Sequence, residues 1–551
     1  MKMTRRQFLK VNGTAAACLS LVGCVGGGQR ISDATIRKKP NILLIMADDM
    51  GFSDLGCYGS EISTPNIDKL AANGLRGTQF YNTARCCPSR ACLLTGLYPH
   101  QAGLGWMTVS DLGHPGYIGE LNEHCITLAQ ALKPAGYRCY ASGKWHVVFD
   151  KDMGSEGPKH NWPLQRGFDR YYGSLAGDGG YYKPPALTRD NTSIEAPDEG
   201  YYYTDAITEN AVGFVNDHYA THGNEPFFMY VPFYAPHRPL HAKAEDIAKY
   251  HGKYMVGWDE IRDRRYQRQK ELGIFDGKWD LSARDSTVRA WADVPASAKP
   301  LWDMRMATYA AMIDCMDQGI GRILGALEKH NAVENTVVMF ISDNGACAET
   351  AGNGNISTIG TAATMESYRT AWANASDTPF RLYKSYVHEG GVSSPLIVQW
   401  PKGLTVAKGS FCPTVGHLMD LMPTFLELAG ARYPGEFNGN EIYRLPGQSL
   451  VPIFTGKDIP REAICYEHEA NRAIRKDNWK LVSRAVFRPP YTGQWELYDL
   501  EKDRTETHNL AGQYPDMVTE MAAMWDNWAK ENFVYPLDGR GWNVKIRASV
   551  R

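Results

Sequence analysis

A short helix with a cysteine at its N-terminus is predicted by the stretch Cys86-Cys87-Pro88-Ser89-Arg90-Ala91-Cys92-Leu93-Leu94-Thr95-Gly96. Pro88 suits a first helical turn, Ser89 to Thr95 can form about two turns, and Gly96 suits the position that ends a helix. The N–H groups at a helix N-terminus are unpaired and the dipole is positive there, so this end favours an anion. Arg90 adds a guanidinium that can bind a tetrahedral oxyanion through two donors. The stretch therefore predicts an anion-binding site beside Cys86.

Two apolar runs elsewhere in the chain end in oxygen-bearing side chains. Residues 41–47 form a continuous apolar run, which is typical of a strand buried on both faces. This run ends in Asp48 and Asp49, and a similar run far downstream ends in Asp343 and Asn344. In open α/β sheets ligands lie at the carboxyl ends of strands, and adjacent buried carboxylates are costly unless a cation compensates them. Because all-oxygen sites select Ca²⁺ or Mg²⁺ over zinc, the four side chains predict a site for one of these cations.

Side chains that can neutralise an oxyanion or transfer a proton follow two further predicted strands. Lys144 and His146 come after residues 137–141 and, being two apart, face the same way in an extended segment. A solvated face is the alternative for an isolated Lys-x-His. His237 follows the strand predicted over residues 227–231, and its alternative role is that of a hydrogen-bonded structural histidine.

Composition excludes few classes of protein but is informative about partners. The 551 residues are 43% hydrophobic and 22% charged, as in ordinary globular proteins. A formal net charge of −2 gives no support for a nucleic-acid partner. No apolar run after the N-terminus is long enough to span a bilayer. The twelve cysteines contain no C-x-x-C pair, which argues against zinc, and the sequence cannot pair them into disulfides.

The N-terminus is predicted to be an export segment covering residues 1–36. Its Thr4-Arg5-Arg6-Gln7-Phe8-Leu9-Lys10 resembles a bacterial twin-arginine signal, which implies a twin-arginine translocase as partner. The following Leu21-Val22-Gly23-Cys24 resembles a lipobox, and a glycine-rich tether comes after it. We therefore expect a protein of the bacterial periplasm or cell surface, with membrane contact only through a lipid on Cys24. A plain cleaved signal with a chance cysteine is the alternative.

Beyond residue 36 the pattern is that of an α/β fold followed by a smaller α+β domain. Strands are predicted over 41–47, 137–141, 227–231, 336–342 and 396–400, and helices over 66–72, 126–133, 205–216, 308–327 and 418–428. Short strands with turn signals between 463 and 500 indicate an antiparallel sheet, closed by a helix over 517–532. A shift in composition at 430–435 suggests a large domain over 37–445 and a second over 446–551.

Two segments are expected at the surface. Residues 250–300 are heavily charged, and a solvated helix face is the simplest interpretation of the helix that carries Arg262 and Arg265. Residues 345–378 are rich in small and polar side chains and are interpreted as a surface excursion.

The motif Cys86-x-Pro88-Ser89-Arg90-x-x-x-x-Thr95-Gly96 resembles the signature of the type I, formylglycine-dependent sulfatases of the alkaline phosphatase superfamily. The resemblance covers nearly all of the chain after the export segment. Its other matching positions are Asp48-Asp49, Gly143-Lys144-Trp145-His146, His237, Asp343-Asn344, Lys384 ahead of Glu389-Gly390-Gly391, and residues 495–500. The fold that this implies is alkaline-phosphatase-like: a large mixed sheet flanked by helices, then a smaller C-terminal α+β domain with an antiparallel sheet.

The resemblance also implies a modification and a mechanism. A maturase oxidises Cys86 to formylglycine (3-oxoalanine), which is hydrated to a gem-diol, and a calcium ion, with magnesium as the alternative, binds beside it. The metal ligands implied are Asp48, Asp49, Asp343, Asn344 and the modified residue 86. The remaining roles are neutralisation of the sulfate oxygens by Arg90, Lys144 and Lys384, protonation of the departing alcohol by His237, and removal of the last diol proton by His146.

The substrate is indicated by a polar stretch after a C-terminal strand. Glu467-His468-Glu469-Ala470-Asn471-Arg472 is crowded with groups that suit sugar hydroxyls. We expect His468, Glu469, Asn471 and Arg472 to bind substrate, although a solvated β-turn is the alternative. Together with Gly257-Trp258-Asp259 the stretch resembles arylsulfatase-type enzymes of polysaccharide-degrading bacteria, which implies a sulfated carbohydrate as substrate and aryl sulfates as surrogates.

Two other functions stay open at this point. One is a phosphatase or phosphonate monoester hydrolase of the same superfamily. The other is a surface lipoprotein that binds sulfated glycans without cleaving them. The second would require the loss of at least one catalytic position, and every position named above carries the expected residue type.

Overall fold

The structure, a computed structural model, describes residues 39–223, 225–275, 277–486 and 491–537, so the predicted export segment and Cys24 lie outside it. An eleven-stranded mixed sheet forms its centre. The strands are β1 (Asn41–Ala47), β2 (Leu75–Tyr81), β3 (Arg138–Ser142), β4 (Arg170–Ser174), β5 (Leu187–Arg189), β6 (Thr192–Ser193), β7 (Phe227–Pro232), β8 (Thr336–Ser342), β9 (Ser393–Gln399), β10 (Ser410–Cys412) and β11 (Gly416–His417).

The order of the strands brings several predicted site residues to one edge. The sheet runs β10-β2-β9-β8-β1-β7-β3-β4-β5-β6, and β11 also pairs with β2. Strand β1 is parallel to both β7 and β8, and β7 is parallel to β3. The carboxyl ends of these four strands therefore meet at the same edge. Strand β9 runs antiparallel to β8 and β2, which makes the sheet mixed, as the family resemblance implied.

Helices cover both faces of this sheet. They are α1 (Pro65–Ala72), α2 (Cys86–Thr95), α3 (Leu128–Leu132), α4 (Tyr203–Thr221), α5 (Ala244–Ala248), α6 (Trp258–Leu272), α7 (Lys299–Lys329), α8 (Arg369–Ser376), α9 (Glu389–Val392), α10 (Leu421–Ala429) and α11 (Pro515–Glu531). Side chains of β1 alternate between two apolar clusters: Leu43 and Ile45 pack with α4 and α7, while Ile42 and Leu44 pack with α2, α3 and α10. A strand buried on both faces needs such a continuous apolar sequence. Among the described helices none is both long and apolar enough to cross a bilayer.

The C-terminal part is an antiparallel sheet packed on one helix, as expected. After a small hairpin of β12 (Glu436–Phe437) and β13 (Asn440–Glu441) come β14 (Ile464–His468), β15 (Asn471–Lys476), β16 (Trp479–Ala485) and β17 (Thr492–Asp499). These last four strands pair in sequence order, and Trp525 of α11 packs against their apolar face. The domain boundary at 445 and 446 stays a prediction.

Both segments assigned to the surface are exposed over much of their length, but each also contains buried structure that the sequence analysis did not predict. Arg262 and Arg265 of α6 are buried, and Arg265 forms ion pairs with Asp54 at 2.6 Å and Glu61 at 2.9 Å. The predicted surface excursion contains α8, whose Trp372 is fully buried. Charged and small side chains in both segments have partners far away in the sequence, which local composition does not reveal.

Candidate active site

Helix α2 places Cys86 at the carboxyl edge of the sheet. The helix begins at Cys86 rather than at Ser89, and all ten of its residues are buried. Pro88 still lies in the first turn, where a backbone N–H has no helical partner. Gly96 ends the helix with a φ of 73°, and a Cβ there would lie 2.5 Å from the Cβ of Met422. Both its left-handed conformation and this close approach therefore require glycine.

Four buried oxygen-bearing side chains meet at the ends of β1 and β8. The Asp49 N–H donates to Asp343 Oδ1 at 3.2 Å, and Asn344 Nδ2 donates to Asp49 Oδ1 at 2.7 Å. Within the described residues, Asp48 Oδ1 and Asn344 Oδ1 are buried without a hydrogen-bond partner. Orphaned buried oxygens of this kind need an explanation, and hard oxygen ligands suit Ca²⁺ or Mg²⁺. Asp48, Asp49 and His237 also offer ligand atoms within 4.8 Å of one another.

Each carboxylate in this cluster has a cationic partner. Lys144 Nζ lies 2.5 Å from Asp48 Oδ2, and Lys384 Nζ lies 2.6 Å from Asp49 Oδ1. The Arg90 guanidinium binds Asp343 Oδ2 at 2.8 Å and lies 3.4 Å from Asp48 Oδ2. Three cations thus balance three carboxylates, so the charge count alone does not demand a metal ion. The inference that a metal ion binds here rests on the two orphaned oxygens, Asp48 Oδ1 and Asn344 Oδ1.

The two aspartates that follow β1 differ in their affinity for a proton. Burial, together with the neighbouring charge of Asp343, raises the pKa of Asp48 to about 6. Burial acts in the same direction on Asp49, but the Lys384 ammonium, His237 and the hydrogen bond from Asn344 together outweigh it, and the pKa falls to about 2. Asp49 is therefore the stronger acid of the pair, although both carboxylates are mainly ionised at pH 7.

Two histidines approach the cluster from different sides. His237 Nδ1 donates to the carbonyl oxygen of Arg238 at 2.6 Å, and its Nε2 lies 3.5 Å from Asp49 Oδ2. His146 adopts a left-handed φ of 57°, and a Cβ on Gly177 would lie only 2.0 Å from its Nε2. Burial lowers the pKa of both histidines, which favours their neutral forms.

Cys86 lies between these groups as a buried free thiol. A hydrogen bond from Cys87, together with the nearby charges of Lys144 and Lys384, holds its pKa well below the usual range. The ligand atoms of Cys86, Cys87 and His146 lie within 4.8 Å of one another, and such thiol and imidazole groups are typical zinc ligands.

The structure brings all six predicted catalytic residues around the predicted oxygen ligands.

A cavity of about 340 Å³ opens beside Lys384 and contains part of the predicted substrate set. Glu469 and Asn471 line it, together with Glu349, Tyr386 and Arg484 among others. Glu469 is held by the indole N–H of Trp106 at 3.2 Å. These polar walls suit a ligand rich in hydroxyl groups.

The two other predicted substrate residues are placed differently. His468 is buried, and neither of its ring nitrogens has a hydrogen-bond partner within the described part of the chain. Arg472 is not brought to the cavity: its guanidinium stacks 4.0 Å from the centre of the Trp495 ring. Successive residues of a strand point to opposite faces, so Asn471 and Arg472 of β15 cannot serve the same site.

Three charged residues that the sequence analysis missed also surround the site. Glu349 accepts from Arg85 at 2.9 Å and from Arg238 at 3.1 Å, and Arg238 binds Asp178 at 2.8 Å. Arg85 directly precedes Cys86, and Arg238 directly follows His237. Their positions next to these motif residues could have indicated from the sequence that they lie at the site. Glu349 had no such signal, because it lies in the segment assigned to the surface.

The comparisons with known proteins identify the family to which the chain belongs. The family model named Sulfatase matches residues 40–431, and one named N-sulphoglucosamine sulphohydrolase, C-terminal, matches residues 380–530. The fold is that of the sulfatases in the alkaline phosphatase superfamily. The chain belongs to the sulfatase family, and it is an enzyme that hydrolyses sulfate esters.

Three similar proteins illustrate the breadth of the family. An uncharacterized sulfatase of Schizosaccharomyces pombe is 33% identical over 89% of this chain and 93% of its own length. An arylsulfatase of Klebsiella aerogenes is 29% identical over 81% of this chain and 98% of its own length. The crystal structure of Ps i-CgsB in complex with k-i-k-neocarrahexaose has a TM-score of 0.63 and 27% identity, covering 90% of this chain and 93% of the other.

Proposed function

We propose that the enzyme releases inorganic sulfate from a sulfated carbohydrate, with aryl sulfates as surrogate substrates. The observation that carries the proposal is the polar cavity beside Lys384, which adjoins the cationic cluster around Cys86. Its carboxylate, amide and guanidinium groups suit the hydroxyl groups of a carbohydrate. The neocarrahexaose bound to a similar structure supports the same class of substrate.

We further propose that Cys86 is converted to formylglycine by a dedicated maturase. The hydrated aldehyde would supply a hydroxyl nucleophile and, through its second hydroxyl, a way to expel sulfate. The surroundings of Cys86 suit this group, because Lys144 and Lys384 lie close enough to lower the pKa of an acidic group at position 86. His146 is the neutral base that can take the proton of the second hydroxyl.

A calcium ion is the cation that the oxygen cluster fits best, with magnesium as the alternative. Asp48, Asp49, Asp343 and Asn344 would hold it together with the modified residue 86. The ion would supply Lewis-acid polarisation of a sulfate oxygen and would orient the nucleophile. It would also compete with Lys144 and Lys384 for the aspartates that these lysines now bind.

The chain's own residues then provide charge and protons. Lys144, Lys384 and Arg90 neutralise the sulfate oxygens, since each already lies at the ends of the strands where the sulfate must bind. His237 keeps its Nδ1 proton on the Arg238 carbonyl, so Nε2 is the atom that delivers a proton to the departing alcohol. Its lowered pKa makes the protonated form a strong acid.

We also propose export by the twin-arginine translocase to the periplasm or surface of a bacterium, with a lipid on Cys24. The twin-arginine and lipobox-like motifs within residues 1–36 support this proposal. Metabolic labelling with a lipid precursor, compared between the wild type and Cys24→Ala, tests the anchor. Equal labelling of both proteins would exclude it.

A substrate panel tests the proposed activity. The full chain is produced with a formylglycine-generating maturase and assayed against defined sulfated saccharides, nitrophenyl sulfate and nitrophenyl phosphate. We expect sulfate release from at least one saccharide and from nitrophenyl sulfate, and none of it from Cys86→Ala. Faster cleavage of the phosphate would favour the phosphatase alternative. Saccharide binding without any turnover would favour the non-catalytic lipoprotein.

A further inference from the structure

Glu349 occupies a fixed position between the catalytic cluster and the cavity. It comes six residues after Asp343, in the segment that leaves β8 at the ligand-binding edge. Its backbone carbonyl oxygen accepts from Ser367 Oγ at 2.6 Å, and the preceding carbonyl accepts from Thr370 Oγ1 at 3.3 Å. The side chain lines the cavity beside Lys384 and remains 33% exposed. It is therefore anchored by its backbone and open to a ligand.

The carboxylate is bound by the chain neighbours of two catalytic residues. Arg85, which donates to Oε1, directly precedes Cys86 and is itself fixed by Ser385 Oγ at 2.7 Å. Arg238, which donates to Oε2, directly follows His237. Glu349 thus bridges the side of the site that carries the nucleophile and the side that carries the proton donor of the leaving group. Arg85 above all, with further help from Lys384 and Arg238, keeps its pKa well below the usual range, so the group is ionised.

An ionised carboxylate in this position still has acceptor capacity. It offers about four lone-pair sites and no donor, and the two arginines use one site on each oxygen. The exposed part of the group faces a cavity that touches Lys384. Hydroxyl groups of a sugar are donors that can fill the remaining sites, whereas the ring of an aryl sulfate has no such donor.

We propose that Glu349 determines specificity for sulfated saccharides by accepting a hydrogen bond from a hydroxyl group of the sugar that carries the sulfate. This inference rests on the carbohydrate sulfatase activity proposed above and assigns part of its substrate selectivity to one residue. The hydroxyl in question lies on the same sugar because the cavity directly adjoins the sulfate-binding lysine. A hydrogen bond to a charged acceptor is worth about 10- to 100-fold in affinity for the group that makes it.

The test compares two substrates in Glu349→Gln and Glu349→Ala, produced as full chains with the maturase. The substrates are nitrophenyl sulfate and the monosulfated saccharide that the wild type cleaves fastest in the panel. We expect kcat/KM for the saccharide to fall at least about tenfold more than kcat/KM for nitrophenyl sulfate. For a deoxy analogue that lacks the bound hydroxyl, the kcat/KM values of the wild type and Glu349→Ala should differ far less than they do for the parent saccharide.

Glu260→Gln is the matched control. Glu260 pairs with Arg264 at 2.7 Å on the exposed face of α6, so this variant also removes a carboxylate from an arginine pair. It should leave both kcat/KM values unchanged. An equal fall in kcat/KM for both substrates in the Glu349 variants would mean that the residue only positions Arg85 and Arg238. That result would overturn this inference but not the proposed function. A wild type that cleaves no sulfate ester would overturn the proposed function and this inference with it.

Discussion

Replacement of Glu389 by glutamine should destabilise the enzyme by removing the charge that joins the two sheets. Glu389 belongs to α9, and its carboxylate binds Lys480 of β16 at 2.9 Å and Arg504 at 2.8 Å. Tyr81 of β2 also donates to it, at 2.9 Å. All of these groups are buried, so solvent does not screen the ion pairs. Glu389→Gln keeps the shape of the side chain and leaves both cations with a weaker partner.

The size of the effect follows from the environment of the carboxylate. Burial opposes ionisation, yet Lys480 and Arg504 lower the pKa of Glu389 from 4.5 to about 2. That difference corresponds to about 3 kcal/mol, and the loss of one partner from a buried ion pair costs about 3–5 kcal/mol. A folded chain of roughly 500 residues has an unfolding entropy of about 1 kcal/mol/K, so Tm should fall by about 3–5 °C.

Thermal unfolding of the wild type and Glu389→Gln at pH 7 and pH 3 measures this effect. Because the folded pKa lies below 4.5, the stabilisation is complete above that pH and is lost as the pH falls through about 2. The Tm difference should therefore shrink at pH 3. Glu260→Gln, which breaks an exposed pair, should change Tm by less than about 1 °C. A Glu389→Gln variant as stable as that control at pH 7 would refute the reasoning.

Further predictions concern the catalytic cluster. Gly177→Ala should lower kcat by about a hundredfold with normal circular dichroism, because its Cβ would displace His146; an unchanged kcat would show that His146 is dispensable. Ca²⁺ should raise the Tm of the chelated wild type, by an amount that corresponds to about 4 kcal/mol at a thousandfold excess over Kd. Asn344→Ala should show a smaller rise, and equal rises would exclude Asn344 as a ligand. Mass spectrometry of the peptide around Cys86 should show the thiol replaced by an aldehyde after expression with the maturase, and an unmodified peptide would contradict this.

The strands that carry the site could be predicted because they are buried on both faces. The apolar run 336–342 coincides with β8, and Asp343 and Asn344 follow it as expected. Strand β2 (Leu75–Tyr81) was missed, since Arg76 and Gln79 interrupt its apolar pattern. A continuous apolar run reveals a strand in the sequence only where both faces of that strand are buried.

Residues that depend on distant partners could not be predicted in the same way. Arg265 is buried because Asp54 and Glu61 neutralise it, and both lie about two hundred positions earlier in the chain. Glu349 gained its position from Arg85 and Arg238, which also lie more than a hundred positions away in the chain. Composition identifies such residues as charged but contains no information about which ones fold against each other.

The burial of α2 has a consequence for the proposed conversion of Cys86. Every residue of the helix, Cys86 included, is enclosed by the sheet and by neighbouring helices. Under the proposed conversion of Cys86 to formylglycine, the maturase would have to reach this thiol before the chain closes around it. Folding and oxidation then compete, and a molecule that folds first keeps its thiol until it unfolds again. The active fraction of a preparation would then be set by the rate of oxidation relative to the rate of folding, and slower folding at low temperature or a more abundant maturase would increase it.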